Sequence, residues 1–306
     1  MSTAQAQSMM LGLALGDALG YVTEFKSLPE IKAIYGPQGI LHPPDPALYS
    51  DDTQMTIALA EGVLDAGINA SLDELMTAVG RRFADWAHTA PDRAPGKTCL
   101  TGAHNLVRGV HWRESGVPQS KGCGAAMRVA PLGYLYQHQP ERLREVALAS
   151  SLPTHGHPTA VASALAAAYL VKLALDGVAP ADYMQRIMAV CDGLSDELDA
   201  AILRVGHVLG WGSEESAMRH IGEGWVAEEA VALALYCVLR YPDDYAACVR
   251  RAANSDGDSD SVACIAGGIA AARAGVLDAL PAPWIRSTEN RATLMDLGMR
   301  LAYARG

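Results

Sequence analysis

Aromatic residues are scarce in this chain of 306 residues, at 6% of the total with only two phenylalanines. No run of alternating β-branched residues stands out either, so a sheet-based core is not expected. The prevalence of Ala, Leu and Gly favours closely packed helices instead, an all-α fold. Basic clusters are missing: none is longer than Arg250-Arg251, and the formal net charge is −10. Nucleic acid is therefore an unfavourable electrostatic partner, although helix N-termini, Gly-rich backbone and bound metal can hold a phosphate without a basic surface.

The six cysteines (Cys99, Cys123, Cys191, Cys237, Cys248, Cys264) form no C-x-x-C pair, and several lie in apolar helical runs. Reduced, buried thiols are expected, and with them a reducing, cytoplasmic compartment. No Lys or Arg precedes the apolar stretch from Met9 to Leu15, and Asp17 interrupts it, which argues against a signal peptide. The apolar stretch from Ala160 to Leu175 carries Ser163 and Lys172 and falls short of the ~20 residues a membrane span needs. A buried central helix is expected there. No internal repeat or low-complexity linker divides the chain, and half of it is hydrophobic, so a single domain over 1–306 is expected.

What the chain does contain is two acidic stretches far apart in sequence: Ser50-Asp51-Asp52-Thr53 and Asp256-Gly257-Asp258-Ser259-Asp260-Ser261. Each opens an apolar run of helical spacing, the first through Met55, Leu59, Gly62, Val63 and Ala66, the second through Val262, Ala263, Cys264, Ile265 and Ala266. Acids and hydroxyls at a helix start often do no more than cap it. One cap needs one or two such residues, and the second stretch offers six consecutive Gly or oxygen-bearing positions. Oxygen donors without thiol or imidazole suit Mg²⁺, Mn²⁺ or Ca²⁺ rather than zinc. An EF-hand beginning at Asp256 would need Gly at position 6 and Glu at position 12, where Ser261 and Gly267 stand. The expectation is that the two stretches fold onto one another around divalent metal.

Other segments fall into place around them. A first helix from about Thr3 to Val22 carries Gly12, Gly16 and Gly20 on one stripe, which predicts a close helix crossing that a side chain would block. Asp17 on that helix reads as a hydrogen-bonded structural group or as a partner of the site, and Glu24-Phe25 as a carboxylate at a cleft rim. The stretch from about Ala87 to Thr101, with Pro91, Pro95 and Gly96, reads as a loop. The Ser120-to-Arg128 stretch, small residues around Gly122 and Gly124, suits a backbone approaching a phosphate or a plain tight turn. His155 reads as a substrate contact, while His157 receives no role. Helices are expected over Asp182 to Cys191, Asp199 to Leu209, Ala227 to Arg240 and Ser287 to Ala304.

Taken in order, Gly16-Asp17-Ala18-Leu19-Gly20 with Glu24-Phe25, then Ser50-Asp51-Asp52-Thr53, then Lys121-Gly122-Cys123-Gly124-Ala125-Ala126-Met127-Arg128-Val129-Ala130-Pro131, then Thr154-His155, then Asp256 to Ser261, resemble the ADP-ribosylglycohydrolases. The resemblance implies an all-α orthogonal bundle around two Mg²⁺ or Mn²⁺ ions, cleaving the glycosidic bond between ADP-ribose and an acceptor such as arginine on protein or a small molecule. It implies Ser50, Asp51, Asp52, Asp258, Asp260 and Ser261 as metal ligands. Glu24 would lie on a mobile loop near the scissile ribose, and Lys121, Gly122, Cys123, Gly124, Ala125 and Ala126, with His155, would contact the ADP-ribose. Two departures stand out: Cys123 occupies a place where many relatives carry Asn, and Ala94-Pro95 precede Gly96-Lys97-Thr98 where some relatives carry an acid, with Asp92 two positions too early. Such chemistry needs a proton for the leaving group and an activated water; Asp51 or Asp52 is expected to position or deprotonate it, with Glu24 assisting. An inactive ADP-ribose binder, a nucleotide phosphoesterase and a structural Ca²⁺ module are the competing readings.

Overall fold

A computed structural model describes residues 3–89 and 92–305. Sixteen α-helices and no named strand occur among them. The first half comprises α1 (Thr3–Tyr21), α2 (Leu28–Tyr35), α3 (Asp51–Ala66), α4 (Leu72–Thr89), α5 (Lys97–Val107), α6 (Ala130–Leu135), α7 (Pro140–Ser151) and α8 (Pro158–Leu175). The second comprises α9 (Tyr183–Cys191), α10 (Asp196–Val208), α11 (Glu214–Ile221), α12 (Ala227–Arg240), α13 (Tyr245–Ala253), α14 (Ser259–Ala274), α15 (Ala282–Ser287) and α16 (Arg291–Arg305).

Helices α1, α8 and α14 are apolar on nearly every face and lie in the middle of the molecule, as a helix without a polar side must. Helix α8 is long and apolar enough to cross a membrane by composition alone, yet 72% of it is buried against the rest of the chain. Around this centre pack amphipathic helices such as α4, α11 and α13, each burying one stripe. Their starts follow the capping rules: Ser213 accepts from Ser216 N, Asp244 from Ala247 N, and Ser71 exchanges bonds with Glu74 in a capping box.

The glycine stripe of α1 lies against α14. A Cβ on Gly12 would stand 2.2 Å from Ala271 Cβ, one on Gly16 2.0 Å from the Ala263 carbonyl oxygen, and one on Gly20 2.4 Å from the Ser259 carbonyl oxygen. Backbone therefore rides on backbone along the whole crossing, and the entropy cost of each Gly secures that approach. The crossing brings the end of α1 to the start of α14, where the second acidic stretch sits.

Three expected boundaries shift. The loop expected from Ala87 to Thr101 is shorter, because α4 runs to Thr89 and α5 starts at Lys97, where Cys99, Gly102 and Ala103 supply a buried face; Pro91 lies outside the described residues. The helix expected from Ser287 to Ala304 starts later: Ser287 ends α15, and α16 begins at Arg291. Between them Asn290 adopts φ 47° and the Glu289 carboxylate accepts from Tyr49 N and Arg93, so the chain turns to serve a tertiary contact. The helix expected from Asp199 starts earlier, at Asp196, because Ser195 caps it by accepting from Leu198 N.

Candidate metal centre

The N-termini of α3 and α14 converge on one cleft of about 330 Å³. Its polar lining includes Glu24, Asp51, Asp52, Asp258, Asp260 and Ser261; Gly122, Cys123, Gly124 and His155 line another side, and Phe25 and Trp225 stand at the rim. Bringing like charges to this point works against folding, so other groups must hold the two helix starts in place.

Asp17 holds the first. Fully buried on α1, it accepts through Oδ1 from Ser50 N at 2.9 Å, and through Oδ2 from Thr53 N at 3.0 Å and Thr53 Oγ1 at 2.5 Å. It is thus the hydrogen-bonded structural group that the sequence suggested, and it also sets the pose of Asp51 and Asp52. Capping of α3 is done by the Ser50 hydroxyl, which accepts from Asp52 N. Asp52 is thereby left without a capping duty, and its Oδ2 has no hydrogen-bond partner. Asp51 accepts from Gly96 N at 3.3 Å.

The second helix start is held by the loop before it. Gly257 adopts φ 84°, a left-handed turn that glycine allows, its carbonyl accepts from Phe25 N, and Asp258 N donates to Glu223 O. Asp258 makes no side-chain cap bond with its own helix. Instead Glu24, Asp258 and Asp260 each place an oxygen within 4.8 Å of the others, and Asp260 Oδ1 is buried without a partner. The third aspartate of the stretch behaves differently. Asp256 Oδ1 accepts from Leu28 N at the start of α2, and its Oδ2 pairs with Arg219 Nε at 2.8 Å. Asp256 therefore turns away from the cleft, because the chain reverses at Gly257.

Burial raises every carboxyl in this group, and repulsion adds to it at Glu24, Asp51, Asp52 and Asp258. Glu24 is pushed up to about 10 by desolvation and then by Asp260, Asp258 and Asp51. Asp51, Asp52 and Asp258 rise well above the usual carboxylate range for the same two reasons, with Asp260 the leading charge in each case. Unpaired buried oxygens of this kind cost several kcal/mol unless a cation or proton joins them. The donor set is all oxygen, so it fits a hard divalent cation.

A pH dependence follows. Asp17 rises from its ordinary 3.8 to about 7, by burial first and the Asp260 charge second. A raised carboxyl contributes stability that is complete below the unfolded value and is lost as pH climbs through the folded one. In chelator, the melting temperature is expected to fall between about pH 4 and 7 on account of Asp17, with Glu24 extending the loss toward 10. Mg²⁺ or Mn²⁺ should reverse the decline, since a cation replaces the proton. A melting temperature in chelator that stays level across this range would contradict it.

The remaining expected site residues divide. Gly122, Cys123, Gly124 and His155 line the cleft, and a 3₁₀ turn from Cys123 to Ala125 presents the first of them. The Cys123 thiol donates to Asp258 Oδ2 at 2.7 Å, and its pKa is raised far above normal by burial and by Asp258, which makes it a packed donor and not a nucleophile. Lys121 stands apart from the cleft lining, its ammonium held by Glu228 at 2.6 Å and Glu197 at 3.0 Å. Ala125, the last residue of the 3₁₀ turn, and Ala126 after it are buried. His157 caps α8 by accepting from Thr159 N. Sequence reasoning missed Trp225, whose ring stacks on Phe25 with centroids 5.2 Å apart. Its one signal is a Trp following Gly222-Glu223-Gly224 in a chain poor in aromatics.

The fold and the whole chain match known proteins. A solved structure described as an ADP-ribosylglycohydrolase-related protein complex superposes with a TM-score of 0.75 over 99% of both chains, at 24% identity. The ADP-ribosyl-dinitrogen reductase glycohydrolase of Rhodospirillum rubrum is 29% identical over 92% of this chain and 89% of its own. The ADP-ribosylarginine hydrolase Tri1 of Serratia proteamaculans is 23% identical over 98% and 79%. The family model of the ADP-ribosylglycohydrolases matches residues 2–306. With that match spanning the acidic helix starts, the glycine turn and the crossing that joins them, the chain belongs to the ADP-ribosylglycohydrolase family, enzymes that cleave ADP-ribosyl groups from an acceptor.

Proposed function

We propose that this chain is a divalent-metal-dependent hydrolase that removes ADP-ribose from arginine on protein. The observation that carries the metal dependence is the pair of buried, unpartnered oxygens, Asp52 Oδ2 and Asp260 Oδ1, inside one carboxylate cluster. Ser50, Asp51, Asp52, Asp258, Asp260 and Ser261 would hold two Mg²⁺ or Mn²⁺ ions, with Glu24 beside Asp258 and Asp260. Divalent cations held there supply positive charge that orients hydroxyl oxygens and acidifies water.

The chain's own residues perform the rest. The bond from the ribose anomeric carbon to the acceptor nitrogen breaks, water adds its oxygen to that carbon, and the proton the water gives up passes by way of Asp51 or Asp52 to the leaving guanidine. Asp51 or Asp52 orients the water and takes its proton, since both project from a helix start that Asp17 fixes. Glu24, buried beside Asp258 and Asp260 and next in the chain to Phe25 at the rim, holds the departing group. His155 and the Gly122–Gly124 backbone line the side where the ADP-ribose would rest.

Arginine as acceptor is supported by the rim. A planar, weakly hydrated guanidinium suits the exposed faces of Phe25 and Trp225 next to the Glu24 carboxylate, and the name of the Serratia relative points to the same acceptor. The Trp225→Ala chain is expected to raise KM for arginine-linked substrate by about tenfold with a smaller change in kcat, because a cation–π contact made equally in ground and transition states is lost. An unchanged KM would remove the rim from acceptor binding.

The deciding assay is release of free ADP-ribose from arginine- and serine-modified protein, each with Mg²⁺, Mn²⁺ or chelator. Metal-dependent release from the arginine substrate is expected. Release from serine alone would change the acceptor, and binding of ADP-ribose without any release would indicate an inactive binder.

A further inference from the structure

Behind the Gly122–Gly124 wall of the cleft lies a cation that pairs with no carboxylate among the described residues. Arg128 is fully buried. Its guanidinium lies 4.5 Å from the Phe83 ring centroid, and its Nη2 donates to Ser150 O at 2.9 Å and to Thr154 Oγ1 at 2.8 Å. A guanidinium can only donate, so the Thr154 oxygen accepts and its single proton remains to be given.

Two acceptors compete for that proton. The His155 Nδ1 stands 2.8 Å away and the Ser151 carbonyl 3.4 Å. The shorter contact wins, and a hydroxyl already polarised by a cation is a stronger donor to it. If Nδ1 accepts, the ring proton resides on Nε2. That edge of the imidazole faces the glycines: a Cβ on Gly122 would lie 3.3 Å from Nε2, and one on Gly124 2.8 Å from Cε1. The backbone of His155 is held as well, its N donating to Ser151 O and its carbonyl accepting from the Ser151 hydroxyl.

We propose that Arg128 and Thr154 are positioning residues that fix His155 in its Nε2–H tautomer, making it a neutral hydrogen-bond donor aimed at an acceptor oxygen of the ligand in the cleft. Burial and the Arg128 charge push the His155 pKa down to about 3, so the ring stays neutral near physiological pH. A neutral imidazole donates from one nitrogen only, and the tautomer then decides whether the cleft meets a donor or a lone pair. In the opposite tautomer, Nε2 would present a lone pair to ligand oxygens and repel them.

The test reads the proton directly. Nitrogen NMR of the whole protein with isotope-labelled histidine, His155 being assigned by comparison with His155→Gln, is expected to show an unprotonated Nδ1 and a protonated Nε2 near neutral pH. Thr154→Val keeps the side-chain shape without the hydroxyl. It is expected to move ring protons onto Nδ1 and to weaken ADP-ribose binding by about tenfold, the scale of one neutral hydrogen bond. Thr154→Ser is expected to preserve both. A protonated Nδ1 in the parent protein overturns the proposal. So does a Thr154→Val chain that keeps the parent tautomer, even with a lower melting temperature, since Thr154 would then only brace the loop. Should Thr154→Val fail to fold, the parent spectrum still decides. The tautomer rests on geometry, and only the choice of ADP-ribose as probe rests on the proposed function: failure of ADP-ribose to bind the parent protein would count against that function and leave the nitrogen spectrum to decide the tautomer.

Discussion

Asp260→Ala is expected to keep the fold and lose turnover by about a thousandfold or more, the scale on which removal of a charge or dipole aimed at reacting atoms acts. Asp260 is the leading neighbouring charge at Glu24, Asp51, Asp52 and Asp258 alike, so its removal disturbs both halves of the cluster together. Stability should respond in the opposite sense to activity. Without metal, the variant loses a buried carboxyl with an unpartnered oxygen and is expected to melt at the parent temperature or above. With Mg²⁺ or Mn²⁺ in excess, the parent gains stability by mass action and the variant gains little. Asp258→Ala should behave alike, because an Asp258 oxygen lies within 4.8 Å of Asp260 and Glu24 in the same cluster. The measurement pairs ADP-ribose release with melting curves in chelator and in metal. Full activity in both variants would sink the metal reading.

The second large effect concerns stability. Gly16→Ala is expected to destabilise the protein by about 3 kcal/mol or more, or to prevent folding, since the new methyl meets the Ala263 carbonyl oxygen at 2.0 Å. Both partners are helix backbone in the middle of the molecule, and neither can move without separating α1 from α14. Gly210→Ala is the control. Nothing lies within 4 Å of its added Cβ and its φ is not positive, so a change within about 0.5 kcal/mol is expected. Urea unfolding of the two variants measures the contrast. Equal midpoints would show that the crossing tolerates separation.

These two expectations differ in how far the amino-acid pattern alone supports them. The stripe Gly12, Gly16, Gly20 is a local regularity, and a close helix crossing follows from it because only backbone can fill the space a missing side chain leaves. The all-helical class was legible for a similar reason: periodicity and composition act within a few turns. Helix α12 begins and ends where expected, at Ala227 and Arg240, because its apolar face and its punctuation are local. The helix boundaries around Glu289 were not, since a carboxylate reaching Arg93 and Tyr49 depends on chain about two hundred positions away.

The candidate site divides in the same way. Residue type and spacing marked Asp51, Asp52, Asp258 and Asp260 as oxygen donors at helix starts, and the motif order pointed to a family. The aspartates alone could not distinguish a cap from a ligand, because that depends on whether another group already satisfies the helix amides. Tertiary structure decides it: Ser50 caps α3, Asp17 reaches across from α1 to fix the helix start, and Asp256 is drawn off to α2 and Arg219. It also decides that Lys121 is bound by two glutamates away from the cleft, and that Trp225 joins Phe25 at the rim. The sequence by itself determined which atoms were on offer and which helices would carry them. Only the folded chain determined which of those atoms remain unpaired, because hydrogen bonding and burial are settled among residues that are distant in sequence and adjacent in space.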